Sequence, residues 1–191
     1  MGEPVIRDFK DYSNAYDLLS HLDETNKIDF NAPIDVDKVA SVLGIEVNDD
    51  YSLTSDTIGT ISFQKETPIV KINPFQNLYK PRRRFTLAHE IGHFCLHKNK
   101  SENGFTDSIH SMSRTESYWN PVESEANSFA AQLLMPESLI LMEGQAIIDN
   151  YVSQHNTETI PSQHFIESMA DKFEVSSKAM EYRLRNVGIL K

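Results

Sequence analysis

The sequence contains a single cysteine, Cys95, among 191 residues. One cysteine cannot form a disulfide within the chain, so we expect a protein of a reducing compartment. The sequence also lacks an internal repeat, and it lacks the run of about eighteen apolar residues that a membrane-spanning helix needs. The first residues, MGEPVIRDFKDYSN, contain no apolar core of the kind found in signal peptides. These absences predict a cytoplasmic protein that does not associate with membranes.

Basic residues are scarce as well, because 18 Lys and Arg residues stand against 28 Asp and Glu residues and give a net charge of −10. Nucleic-acid binding requires a positive surface that neutralises phosphates. The overall charge therefore argues against nucleic-acid binding as the main activity, although it is compatible with a local basic face. Hydrophobic residues make up 39% of the chain and charged residues 24%, which is the composition of an ordinary globular protein.

Hydrophobic periodicity predicts a mostly helical chain. Asp35 and Ser176 are predicted to be N-cap residues, because each precedes a run with apolar residues at helical spacing. The helix that begins at Arg82 is apolar on nearly all sides, which predicts that it is buried. The predicted helices cover residues 11–22, 36–43, 82–97, 122–135, 136–152 and two short segments on either side of 174–175.

Two β-branched runs, at residues 58–63 and 69–73, predict an antiparallel hairpin. The polar segment 98–121 is rich in Ser, Asn and Thr and predicts a long loop. A chain of this length fits one compact domain with a small appendage. We therefore expect an α+β fold, with a mostly helical main domain over residues 1–157 and a C-terminal helical subdomain over 158–191 packed on it.

The stretch FTLAHEIGHFCLH places His89, Glu90 and His93 in an otherwise mostly apolar helix. Two histidines four residues apart project from one helix face, about 6 Å apart along the axis, so both imidazoles can reach one ion. In this H-E-x-x-H pattern the histidines hold Zn²⁺ and the glutamate acts as general base toward the attacking water. We predict these roles here, with Mn²⁺ as an alternative metal. The competing interpretation is a buried helix with coincidental spacing.

A third metal ligand must come from another segment. His97 cannot be that ligand, because it lies about 12 Å from His89 along the helix axis while zinc–nitrogen bonds are about 2 Å long. In the segment ESEAN, Glu123 and Asn127 share one helix face, and Glu125 points about 200° away from Glu123. We predict Glu123 as the third ligand, Asn127 as the residue that orients a ligand histidine, and Glu125 as a salt-bridging or capping partner. The alternative is that both glutamates are solvated surface charges.

Two further features of a peptidase site stay open in the sequence. An exposed edge strand of the hairpin beside the metal would pair with an extended peptide substrate, whereas the alternative is a purely structural hairpin. The residue that stabilises the oxyanion cannot be identified, because His110, Tyr118 and Tyr79 all lie in or beside predicted loops and are equal candidates.

Four segments, in this order, resemble the ImmA/IrrE family of metallo-endopeptidases: PIDVDKVASVLGIEV, RRFTLAHEIGHFCLH, ESEANSFAAQLLMP and FEVSSKAMEYRLRNVGIL. The resemblance covers about residues 34–97 and 121–190, and it implies a zincin-like fold. It also implies that the protein cleaves or otherwise removes a helix-turn-helix transcriptional repressor encoded nearby, which relieves repression of a mobile element or of stress genes. The implied site is gluzincin-like, with His89 and His93 as ligands, Glu90 as catalytic base and Glu123 as third ligand.

Two other classes of function stay open. A non-hydrolytic, antitoxin-like regulator that binds and sequesters its partner would carry the same metal ligands, because intact ligands do not prove turnover. A DNA-binding regulator would use the C-terminal helices, which resemble a helix-turn-helix with a turn at 174–176. Lys178, Arg183 and Arg185 give the second of these helices a basic side. Glu174, however, occupies a turn position that often carries glycine.

Overall fold

The computed structural model describes residues 12–63, 67–99, 104–108 and 120–191. Within these ranges the chain forms seven helices and one four-stranded sheet, which confirms the predicted α+β class. The helices are α1 (Ala15–Glu24), α2 (Val36–Val42), α3 (Lys80–His97), α4 (Pro121–Leu134), α5 (Glu137–His155), α6 (Ser162–Phe173) and α7 (Ser177–Asn186). The strands are β1 (Glu46–Asp49), β2 (Thr57–Ser62), β3 (Ile69–Ile72) and β4 (Phe105–Ser108).

Both predicted helix caps are present. The Asp35 side chain accepts a hydrogen bond of 2.9 Å from the backbone N–H of Lys38 at the start of α2. Ser176 accepts one of 3.1 Å from Ala179 at the start of α7. Between α6 and α7 the chain turns at Glu174, which has a φ of 52° in the left-handed region that glycine usually occupies. The helix-turn-helix-like connection is therefore formed without a glycine.

The predicted hairpin is confirmed as β2 and β3, which pair antiparallel in the sheet order β1-β3-β2-β4. The sheet also contains a parallel pair that was not predicted, because β1 pairs parallel to β3. The expected long loop is wrong over residues 105–108, where β4 pairs with β2. Periodicity could not indicate β4, because the strand has four residues and its buried residue is acidic, Asp107.

Helix α3 lies at the centre of the molecule, and all ten residues from 86 to 95 are buried, as predicted. It crosses α4 closely at Gly92, where an added Cβ would lie 3.2 Å from the backbone oxygen of Ala126. A larger side chain at this crossing would push the two helices apart. The close approach brings the polar residues of α3 within reach of side chains on the first turns of α4.

The C-terminal helices share the main hydrophobic core, in which Met169, Phe173 and Met180 belong to one buried cluster with Leu87. Buried Arg84 on α3 donates a hydrogen bond of 2.9 Å to the carbonyl of Ile34 and forms an ion pair with Glu174. The boundary between residues 157 and 158 stays a prediction. No helix in the described ranges is both long enough and apolar enough to cross a membrane.

Candidate metal centre

Two histidines of α3 form the centre of the site. Nε2 of His89 lies 3.0 Å from Nε2 of His93, and both side chains are fully buried. The two rings are nearly perpendicular, with an interplanar angle of 82°. This is the arrangement that the spacing of four residues predicts, because both nitrogens project from one helix face toward the same point.

Two carboxylates from other elements face these histidines. An oxygen of Glu123, on α4, lies 3.3 Å from Nε2 of His89, and its other oxygen lies 3.6 Å from Nε2 of His93. Asp107, on β4, places Oδ2 at 3.3 Å and 3.7 Å from the same two nitrogens. The four residues each offer a donor atom, and these atoms all lie within 4.8 Å of one another. Asp107 was not predicted from the sequence.

The donor set fits a divalent cation. Atoms bound to one tetrahedral zinc at about 2.0–2.2 Å lie roughly 3.3–3.6 Å apart. The nitrogen–oxygen distances in this site run from 3.3 to 3.7 Å, and the nitrogen–nitrogen distance is 3.0 Å. Both oxygens of Asp107 and one of Glu123 are buried without a hydrogen-bond partner among the described residues. Nitrogen and oxygen donors of this kind suit Zn²⁺ and Mn²⁺.

The charges at the site favour a cation in the same way. Burial acts to lower the pKa of His89, but the contacts with Asp107 and Glu123 outweigh burial and raise this pKa to about 9. Burial acts to raise the pKa of Asp107, but the neighbouring His89 and His93 hold it below its usual range. The two carboxylates therefore favour a positive charge at the histidine nitrogens, which a divalent cation would supply.

Glu90 lies beside the donor set and is fully buried. Neither of its carboxylate oxygens has a hydrogen-bond partner in the described part of the chain. Burial and the negative charge of Asp107 raise the pKa of Glu90 well above its usual value. Gly59 on β2 provides the space for this carboxylate, because an added Cβ there would lie 2.5 Å from Oε1 of Glu90. The sequence gives no signal for this requirement, because it depends on the position of β2 over α3.

The ring of His93 is held from the far side by a short polar chain. Nδ1 of His93 lies 3.0 Å from Nδ1 of His97, and Nε2 of His97 lies 2.8 Å from an oxygen of Glu125. Glu125 is therefore the salt-bridging partner that the sequence predicts, and His97 supports the site without belonging to the donor set. The role predicted for Asn127 stays a prediction, and neither polar atom of its side chain has a hydrogen-bond partner among the described residues. Nδ1 of His89 likewise has none there.

An aromatic wall covers one side of the centre. Phe105 on β4 stacks on His93, with ring centroids 4.4 Å apart and an interplanar angle of 12°. Phe63 contacts Phe105 edge-on at 6.4 Å. Of the two alternatives for the hairpin, the exposed edge strand is wrong, because β2 lies between β3 and β4 and β3 lies between β1 and β2. The strand nearest the metal is instead β4, which carries Asp107.

Three candidates for oxyanion stabilisation remain from the sequence, and only Tyr79 is among the described residues. Tyr79 is the N-cap residue of α3 and is 59% exposed, while His110 and Tyr118 lie outside the described residues. On α7, Lys178 and Arg185 both pair with Glu181, at 3.3 Å and 3.2 Å. Their positive charge is therefore partly compensated within the helix.

The buried H-E-x-x-H helix and the carboxylates that face it have the composition of a metallopeptidase-type centre. Residues 41–185 match the family model described as the IrrE N-terminal-like domain, a peptidase family. This match covers more than half of the chain and includes every residue of the donor set, so the chain belongs to this family. The ImmA/IrrE resemblance in the sequence is thereby confirmed.

The chain is also similar to a protein of Bacillus phage phi105 named "Uncharacterized immunity region protein 2", with 29% identity over 103 residues. The alignment covers 54% of this chain and 60% of the phage protein. The chain thus matches less than two thirds of the length of that relative.

Proposed function

We propose that the chain is a zinc-dependent endopeptidase that cleaves a partner transcriptional repressor of the helix-turn-helix type. The observation that carries this proposal is the Glu90 carboxylate, which is buried beside four converging metal donors and free of hydrogen bonds to described residues. A purely structural metal site needs no such group. A general base, in contrast, needs a free carboxylate within reach of the reacting water.

His89, His93 and Glu123 would hold the ion with Asp107 as a fourth donor, since catalytic zinc sites can expand to five ligands. When bound, the ion supplies a Lewis acid that polarises the substrate carbonyl and lowers the pKa of water. Glu90 takes a proton from the attacking water on one of its carboxylate oxygens and passes it to the leaving amine. His97 holds the ring of His93 in place throughout.

The repressor partner is supported by the family membership and by the name of the phage relative, which assigns that protein to an immunity region. A repressor substrate would place the activity in the cytoplasm. Binding to DNA is less well supported, because Lys178 and Arg185 of α7 pair with Glu181 and the chain carries a net charge of −10.

The decisive experiment incubates the purified chain with the repressor encoded beside it, with and without a chelator. Chelator-sensitive cleavage should be lost in Glu90→Gln while bound zinc stays unchanged, because Glu90 is outside the donor set. Glu167→Gln, an exposed substitution on α6, is the matched control and should cleave normally. Release of the repressor from its operator without cleavage, unaffected by Glu90→Gln, would instead show a non-hydrolytic regulator. A salt-dependent shift of operator DNA by the chain alone would show a DNA-binding protein.

A further inference from the structure

An open cavity of about 550 Å³ lies between the first turns of α3, the second half of α4 and the start of α7. It begins beside the metal centre, because Phe85 in its wall precedes His89 by one helical turn and Asn127 follows Glu123 by one turn. Most of its wall is apolar, formed by Ile58, Phe85, Leu134, Met135 and Val175.

Asn127 places an unpaired amide at this apolar cavity. Both polar atoms of its side chain are buried and have no hydrogen-bond partner among the described residues. Leaving a buried polar group unpaired is unfavourable. An amide offers one donor group and one acceptor, which is the complement of a peptide group in an extended chain. A bound polypeptide would therefore satisfy Asn127.

The charged residues at the cavity have one sign. Arg82 and Lys178 line it, and no Asp or Glu does so among the described residues, although acidic residues outnumber basic ones in the whole chain. Arg82 is exposed and has no ion pair with any described residue, whereas Lys178 pairs with Glu181 at 3.3 Å. The rim of the cavity thus favours a ligand that carries a carboxylate.

Exposed apolar side chains continue from the cavity along the loop that precedes α3. Tyr79 lines the cavity, and Leu78 beside it in the chain is 86% exposed. Phe75 is 63% exposed and contacts Tyr51, 68% exposed, with ring centroids 5.7 Å apart. Clusters of exposed apolar residues mark sites of protein–protein contact. A small ligand would use the cavity alone, so these residues favour a polypeptide.

We propose that the cavity and these exposed residues dock a segment of the partner protein that contains apolar side chains and at least one carboxylate. This proposal rests on the proposed function, because the docked partner is taken to be the substrate of the peptidase. Docking here would hold the partner chain one helical turn from the metal donors. It would also give the protein a preference among substrates that the metal centre itself does not provide.

The test uses the full chain carrying Glu90→Gln, so that binding is measured without cleavage. The probes are short fluorescein-labelled peptides of alternating Leu and Glu, with matched peptides in which Lys replaces Glu or Ser replaces Leu. Arg82→Glu should weaken binding of the Leu/Glu peptide about tenfold, and Lys38→Glu, the same charge change on α2, should not. Leu78→Ser should weaken it several-fold, and Met142→Ser, at another exposed apolar position, should not.

Equal binding of all three peptides, or equal effects of the test and control variants, would overturn the docking proposal. So would binding of dodecanoate but of no peptide, which would identify a small amphipathic anion as the ligand. A dimer in sedimentation that Leu78→Ser dissociates would identify a second copy of the chain as the occupant and would also overturn it. Selective binding of a peptide that the zinc-loaded native chain fails to cleave supports docking and contradicts the peptidase. Cleavage of all the peptides without any preference supports the peptidase and contradicts the docking proposal.

Discussion

Replacing Asp107 with Asn tests the metal centre most directly, because no sequence pattern indicates this residue. Asn keeps the shape of the side chain and removes its charge. Oδ2 of Asp107 lies 3.3 Å and 3.7 Å from the two histidine nitrogens, and the residue is 1% exposed, so solvent cannot replace the lost carboxylate. If Asp107 is a metal donor, its replacement should weaken zinc binding strongly.

The size of the effect follows from linkage between binding and folding. Residues that only orient a ligand typically contribute 10–100-fold to metal affinity, so we expect about 100-fold for a donor. At a zinc concentration of about one hundred times its Kd, the native chain gains about 2.7 kcal/mol of unfolding free energy. A variant with hundredfold weaker binding gains only about 0.4 kcal/mol at the same concentration. Glu125→Gln acts on the site only through His97. If its zinc affinity falls about tenfold, this variant should still gain about 1.4 kcal/mol of unfolding free energy from zinc.

The assay is denaturant unfolding of each protein with and without zinc, accompanied by measurement of bound metal. Each variant is compared with its own metal-free form, so that a folding defect cancels. Asp149→Asn, an exposed position on α5, makes the same chemical change away from the site and should keep the full gain. The assignment fails if Asp107→Asn gains as much from zinc as the native chain, or if Glu125→Gln loses as much as Asp107→Asn.

Three further predictions concern single positions. Gly59→Ala should lower peptide cleavage about 100-fold with unchanged bound zinc, because its Cβ would lie 2.5 Å from Oε1 of Glu90. Gly144→Ala, whose Cβ would lie no closer than 3.3 Å to the side chain of Phe165, should cleave normally, and equal activity of both variants would contradict the steric argument. Burial raises the pKa of the Cys95 thiol to about 12, so a disulfide reagent should react with it only as fast as the protein unfolds, and rapid labelling in native buffer would refute this. Glu174→Gln removes two ion pairs with α3, one to a buried arginine, and should lower the free energy of unfolding in guanidinium by about 1–2 kcal/mol; an unchanged midpoint would show that these pairs contribute nothing.

The parts of the fold that local sequence determines were predicted correctly. The caps at Asp35 and Ser176 depend on side chains that bond to backbone three residues away. The β2–β3 hairpin joins neighbouring runs of the chain. Strand β4 was missed because its pairing with β2 connects residues more than forty positions apart, and because its buried side chain is a carboxylate. Long-range pairing of a short polar strand leaves no periodic pattern to detect.

The site likewise contains features that local sequence determines and features that depend on contacts between distant segments. Helical phase separates Glu123 from Glu125, and the structure places Glu123 at the histidine nitrogens and Glu125 at His97. The positions of residues around α4 could not show which residue supports His93, because that residue, His97, lies on the next turn of α3. His97 is too far along the helix from His89 to be a ligand. It is, however, only four residues from His93, and this spacing brings the Nδ1 atoms of His93 and His97 together. Asn127 lines the neighbouring cavity.

The position of the site in the core also bears on how the centre is kept in shape. His89, His93 and His97 are all fully buried on a helix that packs against α4 at Gly92 and against β2 at Gly59. An added Cβ would lie 2.5 Å from Glu90 at Gly59 and 3.2 Å from Ala126 at Gly92, so neighbouring atoms would have to move at both contacts. The spacing of the metal donors therefore depends on close backbone approach as well as on the donors themselves. A substitution at Gly92 should move α4, and with it Glu123, away from both histidines. Metal affinity should consequently respond to Gly92→Ala although that residue contacts no donor atom, and an unchanged zinc Kd in this variant would show that α4 can adjust without displacing Glu123.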